Sequence, residues 1–147
     1  MNIASLAATL AIASALAAAP AAAAEIGQIK ISKGQVSVDR NGQAMAGSVG
    51  LRLEAADVVK TGADGSAGIT MSDNSLLSIG PNSILALEKF DFEPTTSQGR
   101  FDAQLQRGTL AVVSGRIAKQ SPQSMTLRTP AAALTVRGTE FVVSTHD

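Results

Sequence analysis

The feature that most constrains this chain is the placement of its glycines between short apolar runs. All thirteen glycines lie after Glu25, and they separate runs rich in Val, Ile, Leu and Thr. Within these runs apolar and polar side chains alternate, which is the period of a strand with one buried face. No segment keeps apolar residues at helical spacing over three turns. The pattern therefore predicts an all-β domain.

Two β-hairpins are predicted from local turn signals. The run Val36–Val38 alternates and is followed by Asn41 and Gly42, a pair that tolerates the positive φ angles of a tight turn. Residues 66–71 alternate in the same way, and the polar residues at 72–75 supply the next turn. Two strands should pair across that turn as well.

Further strands are predicted in the second half of the chain. In SILALEKFDFEP, strict alternation puts Leu85 and Leu87 on one face and Phe90 and Phe92 on the other. Pro94 then ends pairing because it has no amide hydrogen, which is typical of an edge strand or of a strand that turns to the surface.

The remaining strands follow the same period. Residues 101–105 predict a strand, Gly108 a turn, residues 119–123 a loop, and Met125 and Leu127 a strand whose apolar side chains face the core. Together the patterns predict a single domain of about ten short strands, arranged as a sandwich, a roll or a short β-solenoid.

Residues 1–24 form a separate segment, because they contain no charged side chain. An apolar stretch followed by Pro20 and the triplet Ala22-Ala23-Ala24 is similar to a secretory signal peptide, whose peptidase requires small residues before the cut. Cleavage is predicted between Ala24 and Glu25, which leaves a mature chain of 123 residues (147 minus 24). A transmembrane anchor and a buried helix are the alternatives, but alanine contributes little to membrane insertion. The leader predicts a periplasmic or secreted protein of a Gram-negative-type bacterium, without stable membrane insertion after cleavage.

Composition excludes several classes of function. Twelve basic residues balance twelve acidic ones and no two basic residues are adjacent, so binding to nucleic acid is not expected. The chain has no Cys, which excludes disulfides, thiolate nucleophiles and Cys-ligated metals. All four aromatic residues are Phe, so the Tyr and Trp platforms that bind sugars or single-stranded nucleic acids are absent.

The search for catalytic residues gives only weak candidates. His146 is the only histidine and lies next to the C-terminal residue, where a positioned base is not expected. Ser66 lies in GSAG, which lacks one spacer of a nucleophile elbow and is better explained by a hairpin turn. The remaining candidates are the carboxylate pairs Asp91 with Glu93 and Glu54 with Asp57, and a calcium site at Asp73-Asn74. The first pair is expected to lie on a solvated face, and the dense oxygen-rich loop of a calcium site is missing. No catalytic, cofactor-binding or metal-binding residue is therefore predicted.

The stretch TPAAALTVRGTEFVV, residues 129–143, combines strand patterns with a polar joint. Leu134 and Val136 are predicted to face the core, and Gly138 interrupts the strand as a bulge. A bulge would turn Arg137, Thr139 and Glu140 toward one another. This joint is either a bulge held by local hydrogen bonds or a polar patch that receives a partner, and the first reading is favoured.

The order of the motifs resembles the FecR domain. In that family an early pattern GD.V.T...G.A.L.L.DGS.L.L.P.S, a central L..G.V and a late TP...V.GT.F.V follow one another, and the chain is similar over about residues 51–144. Ala56 replaces the usual Gly before Asp57, and Asn74 stands where Gly is common in the Asp-Gly-Ser turn. The residues that match the late motif are Thr129, Pro130, Arg137, Gly138, Thr139 and Phe141, and we interpret them as fold-forming.

The resemblance implies an all-β periplasmic module of regulators that relay a signal from an outer-membrane receptor to a cytoplasmic sigma factor. The resemblance also implies that such regulators contain four parts in series: a sigma-binding segment, a membrane helix, the β module and a receptor-contacting domain. Here only the β module is expected after the leader. The predicted function is therefore a non-enzymatic module that binds a protein partner of the cell envelope, without a cofactor, as an accessory in signalling. The alternatives are a self-assembling envelope protein and an enzyme of unrecognised type. The partner and the oligomeric state stay open.

Overall fold

A computed structural model describes residues 24–135 and 140–145, and 61% of these lie in β-strands. The predicted all-β class is confirmed, with twelve described strands instead of about ten. The strands are β1 Glu25–Lys33, β2 Val36–Arg40, β3 Gln43–Ala46, β4 Arg52–Glu54, β5 Val58–Thr61, β6 Ser66–Met71, β7 Leu76–Ile79, β8 Ile84–Phe92, β9 Gly99–Val113, β10 Met125–Arg128, β11 Ala133–Thr135 and β12 Glu140–Thr145.

Nine of the strands form one curled sheet, a half-barrel, in the order β3-β2-β5-β8-β9-β7-β6-β1-β4. The other three lie beside this path: β12 and β10 pair with β9, and β11 pairs with β10. We call the strands β4, β1, β6, β7 and β12, with residues 108–113 of β9, half A. Half B comprises β3, β2, β5, β8, β10 and β11, with residues 99–107 of β9.

Strand β9 belongs to both halves. Its first part pairs with β8 and β10, and its second part pairs with β7 and β12. Gly108, predicted as a turn, instead lies inside this strand with a φ angle of 99°. A side chain is excluded there because a Cβ atom would lie 2.0 Å from Ser83 Oγ and 2.5 Å from Ser83 Cα. The glycine therefore bends a continuous strand from one half of the sheet into the other.

A β-bulge in β8 overturns the prediction for its phenylalanines. Leu87 pairs with Ala103 but Lys89 pairs with Asp102, so Glu88 is an extra residue and the side-chain alternation shifts by one. Leu85, Leu87 and Phe90 are consequently all buried on the core side. The Phe90 ring meets the edge of Phe101 with ring centroids 5.2 Å apart. The strand is also not an edge strand, because it pairs with both β5 and β9.

The inner faces of both halves contribute to a single hydrophobic core. Ile69 and Leu77 of half A and Val59 and Leu105 of half B are all at most 2% exposed. Burial on this scale is the main stabilising contribution, at about 25 cal/mol per Å² of apolar surface. The predicted inward faces of β6 and β10 are confirmed, since Ala67, Ile69, Met71, Met125 and Leu127 are all buried.

Local predictions had mixed outcomes. The hairpin at Asn41-Gly42 is confirmed, and both residues have positive φ angles. The hairpin of β6 and β7 is confirmed as well. The predicted loop at 119–123 is wrong, because a short helix α1 covers Arg116–Gln120 and a 3-10 helix covers Pro122–Ser124. In β11, Leu134 is 39% exposed, although the alternation predicted it in the core.

Candidate functional site

The weak catalytic candidates lie in ordinary structural surroundings. Ser66 is the first residue of β6, not part of the preceding turn. Asp91 and Glu93 are both exposed, as predicted, and Asp91 lies opposite Arg100 on the neighbouring strand. Hydrogen bonds from Thr95 lower the pKa of Glu93 below its ordinary value. His146 lies outside the described residues.

Asp57 forms the first of three buried polar clusters. Its carboxylate is 1% exposed and accepts a bidentate pair from Arg40, with Nε to Oδ1 at 2.9 Å and Nη2 to Oδ2 at 2.7 Å. The Glu54 amide donates a third hydrogen bond to Oδ2 at 2.8 Å. The hydrogen bond to Asp57 raises the pKa of Arg40 above its ordinary value. The predicted Glu54 and Asp57 pair is thus bridged by an arginine that fastens β2 to the β4–β5 turn.

The second cluster surrounds Asp73, which is 0% exposed. Its carboxylate accepts hydrogen bonds from the amide and hydroxyl of Ser75 and from the amide of Ile117. The Ser75 hydroxyl oxygen in turn accepts from the Gly115 amide at 3.1 Å. These bonds attach α1 to the turn between β6 and β7. The carboxylate is occupied by donors, and no group of three metal-ligating side chains occurs in residues 24–135 and 140–145.

The third cluster lies beside the bend of β9. Thr61 Oγ1 donates to the Gly80 carbonyl at 2.6 Å and accepts from the Ser83 amide at 3.0 Å. Ser83 Oγ accepts from the Thr109 amide at 3.1 Å. Ser83 and Thr61 are 0% and 7% exposed. This chain of bonds joins β5, β8 and the bent strand at one point.

The polar positions of the early FecR pattern account for all three clusters. Asp57, Thr61, Asp73, Ser75 and Ser83 occupy its polar positions, and every one of them is buried. From the residue types alone, Asp57 and Asp73 are candidates only for reacting or calcium-binding groups. The family pattern could have identified their role, because it places polar residues at inward-facing positions where strand alternation predicts apolar ones. Such buried polar groups require internal hydrogen-bond partners.

The late motif is divided between described and undescribed residues. Thr129 and Pro130 form the turn between β10 and β11, where the Thr129 amide donates to the Ala132 carbonyl at 2.8 Å. Phe141 lies in β12 and packs against the core. Val136, Arg137, Gly138 and Thr139 lie outside the described residues, so the predicted bulge and the Arg137–Glu140 contact stay predictions.

The outer face of half A carries almost no charge from β6 to β12, and its exposed charged side chains, among them Lys30, Lys33 and Arg52, lie on β1 and β4. Directly paired residues point to the same side of a sheet. Two outward rows therefore cross the strands from β6 to β12: Gly68, Ser78, Ala111 and Val142 in one, and Thr70, Leu76, Val113 and Glu140 in the next. Glu140 is the only charged side chain of these rows. Leu76 is 45% and Val142 67% exposed, and a groove of about 300 Å³ lies between β7, β9 and β12.

The outer face of half B is densely charged. Its outward charged side chains are Asp39, Lys60, Glu88, Lys89, Asp91, Arg100, Asp102 and Arg128. Most of them form ion pairs: Lys60 with Asp39, Arg100 with Asp102, and Arg128 with Glu88. A face of this kind is well solvated and offers little apolar surface to a partner.

The fold and its polar clusters define an all-β module whose polar interior serves structure. A family model, FecR protein, matches residues 57–147, and the chain belongs to the FecR family. Membership connects the protein with envelope signalling. No curated protein and no solved structure matches the chain significantly. Among the described residues, no helix has the length and apolar character to cross a membrane.

Proposed function

We propose that this protein is an exported, non-enzymatic docking module of envelope signalling, which acts by binding another envelope protein. The observation that carries the proposal is the FecR match over residues 57–147. Signalling by such a module requires a surface for a partner and no reacting groups.

The internal chemistry supports a binding role over catalysis. The carboxylates of Asp57 and Asp73 accept hydrogen bonds from an arginine, a hydroxyl and backbone amides. A general base needs a free lone pair directed at a substrate. The oxygen atoms of both carboxylates instead accept hydrogen bonds that hold turns and α1 in place.

The outer face of half A is the better candidate for the docking surface. It presents aliphatic and hydroxyl side chains, including Leu76 and Val142, next to a groove that a partner side chain can enter. Interface cores are depleted in charged residues relative to the remaining surface, and the surface of half A from β6 to β12 has this character whereas half B does not.

Export rests on the leader sequence and on where the fold begins. Strand β1 starts at Glu25, directly after the predicted cleavage at Ala24, so removal of residues 1–24 would leave the sheet intact. Mass spectrometry of the protein from a periplasmic fraction is expected to give Glu25 as its first residue. Recovery of the uncleaved chain in the membrane fraction would contradict cleavage, and recovery of the chain in the cytoplasmic fraction would contradict export.

Crosslinking in the native envelope tests the docking itself. A photoreactive amino acid replaces Ser78 on half A or, as the matched control, Ala44 on the exposed β3 strand of half B. We expect the Ser78 position to capture an envelope signalling component, such as a membrane regulator or receptor. In chains that carry the photoreactive amino acid at Ala111, beside Ser78 in the same outward row, Ser78→Lys should abolish capture and Ala44→Lys should leave it unchanged. Equal capture from both positions, or capture from Ala44 alone, would overturn the assignment of this face.

A further inference from the structure

The strand edges of the sheet are not equally protected. In the part of the chain that the structure describes, β3, β4, β11 and β12 each pair with one neighbour only and so expose their other edge. Strands β4 and β11 have three residues each, and β4 carries Arg52 and Glu54, which form ion pairs. Strand β3 has four residues. Short strands and charges are the usual protection of a free edge against pairing with another chain.

Strand β12 lacks this protection. It has six residues, Glu-Phe-Val-Val-Ser-Thr, and its one charge is at its first position. Phe141 and Val143 pair with Val112 and Leu110 and pack against the core, but both remain partly exposed at the open side of the half-barrel. Val142 points outward and is 67% exposed. A long apolar edge of this kind is expected to be covered by a further strand.

We propose that a second copy of this chain covers this edge, with the two β12 strands paired antiparallel about a two-fold axis at Val142. In this register Phe141 lies opposite Val143 of the second copy, so the inner faces of both copies meet. Val142 lies opposite its own counterpart on the outer face, and Glu140 lies opposite Ser144. A parallel in-register pairing would place two Glu140 carboxylates side by side, which is destabilising.

A second copy fits this edge because the residue pattern of β12 is complementary to itself in the antiparallel register. The partner strand must offer apolar inward residues two positions apart, an aliphatic outward residue between them, and no carboxylate opposite Glu140. The sequence Phe141-Val142-Val143 meets these conditions against itself, and a two-fold pairing closes without leaving a further edge of the same kind. The dimer would extend the uncharged outer face of half A across two copies. This inference does not depend on the proposed signalling role.

Cysteine crosslinking tests the register. The chain contains no Cys, so Val142→Cys provides a single thiol per copy. Opposed residues of an antiparallel pair have Cα atoms about 4.5–5.5 Å apart, which is within disulfide range. We expect mild oxidation of the purified protein to give a disulfide-linked dimer from Val142→Cys at least tenfold faster, as an order-of-magnitude estimate, than from Ala44→Cys on the β3 edge.

Light scattering of purified protein tests the dimer without a crosslink. The natural sequence is expected to dimerise with rising concentration. Val142→Lys should weaken dimerisation by about tenfold or more, because two ammonium groups would face each other, and Ala44→Lys should not. Circular dichroism confirms that each variant is folded. A natural chain that stays monomeric, or a dimer in which Val142→Cys crosslinks no faster than Ala44→Cys, would overturn the proposal.

Discussion

Half A and half B are built from the same curled sheet but have opposite outer surfaces. Both bury alternating aliphatic side chains on the inside, and both contribute to one core. On the outside, half B pairs its charges both within β9 and between strands, whereas half A from β6 to β12 presents Ser78, Ala111, Leu76 and Val142 with almost no charge.

The difference in surface charge between the halves concerns partner binding more than the stability of the fold. Exposed ion pairs contribute only about 0–1 kcal/mol each, so the charges of half B do little for the fold. They keep that face hydrated, so it offers little apolar surface for contact with another molecule. The uncharged face of half A has no such protection, and its stabilising contacts lie on the inside. We infer that the sheet uses one face to remain soluble and the other to make contacts.

The largest expected effect tests whether the two halves are one structure. Gly108→Ala should destabilise the protein by about 4 kcal/mol, from about 2 for the positive φ angle and about 2 for the clash with Ser83. Gly42→Ala is the matched control, because its φ angle is also positive but no atom lies within 4 Å of the new Cβ. That control lacks the clash and should cost only the contribution of the φ angle, about 2 kcal/mol. Urea unfolding measures both, and equal losses would show that the bend at Gly108 is not constrained.

A second prediction concerns the ion pair that Arg40 forms with the buried carboxylate of Asp57. Asp57→Ala should cost about 3 kcal/mol in the free energy of unfolding, because it removes two hydrogen bonds of Arg40 and leaves the Glu54 amide without its acceptor. Asp39→Ala, which removes an exposed pair with Lys60, should cost less than about 0.5 kcal/mol. A large loss from Asp39→Ala would contradict the conclusion that the charged face contributes little to stability.

A third prediction concerns the turn through which the chain passes from half A to half B. Ala56 has a φ angle of 72°, where alanine is strained, and Gly is usual at this position of the FecR pattern. Ala56→Gly should stabilise the protein by about 0.5–1 kcal/mol, after allowing for the extra freedom of glycine in the unfolded chain. Asn74→Gly, at a φ angle of 68°, should change little because asparagine tolerates this conformation. Thermal unfolding of the two variants measures the change in stability. A lower stability of Ala56→Gly would contradict the conclusion that Ala56 is strained.

The smallest expected effect sharpens the contrast between the faces. Ser78→Lys on half A and Ala44→Lys on half B should each change the free energy of unfolding by less than about 0.5 kcal/mol, because both sites are exposed. Denaturant titrations of both variants provide the measurement. A clear loss from Ser78→Lys alone would mean that the uncharged face is needed for folding, and its role in binding could not be tested by this substitution.

The sequence predicted features set by local chemistry. The hairpin at Asn41-Gly42 and the burial of Ile69 and Leu127 follow from turn residues and alternation, and both are confirmed. The positions of Phe90 and Gly108 could not be predicted this way. A bulge adds one residue without a distinctive composition, and a lone glycine suits both a turn and a bent strand. Only the distant residue Ser83 decides between the two at position 108.

Long-range contacts explain the other differences. The five residues of α1 are too few to form a stable helix alone, and the helix is held by Asp73, more than forty positions earlier in the chain. The buried polar clusters were equally invisible to composition and periodicity. They became interpretable through the family pattern, which preserves the order of polar positions even where it does not state what they contact.

The sharing of β9 has a mechanical consequence. The same fifteen-residue strand supplies ladder hydrogen bonds to neighbours in both halves, and the bend at Gly108 is clamped by Thr61 and Ser83. A load applied to β7 or β12 by a bound molecule is therefore carried along one covalent strand into β8 and β10. We therefore expect the two halves to unfold together, because separating them would break the hydrogen bonds of this one strand.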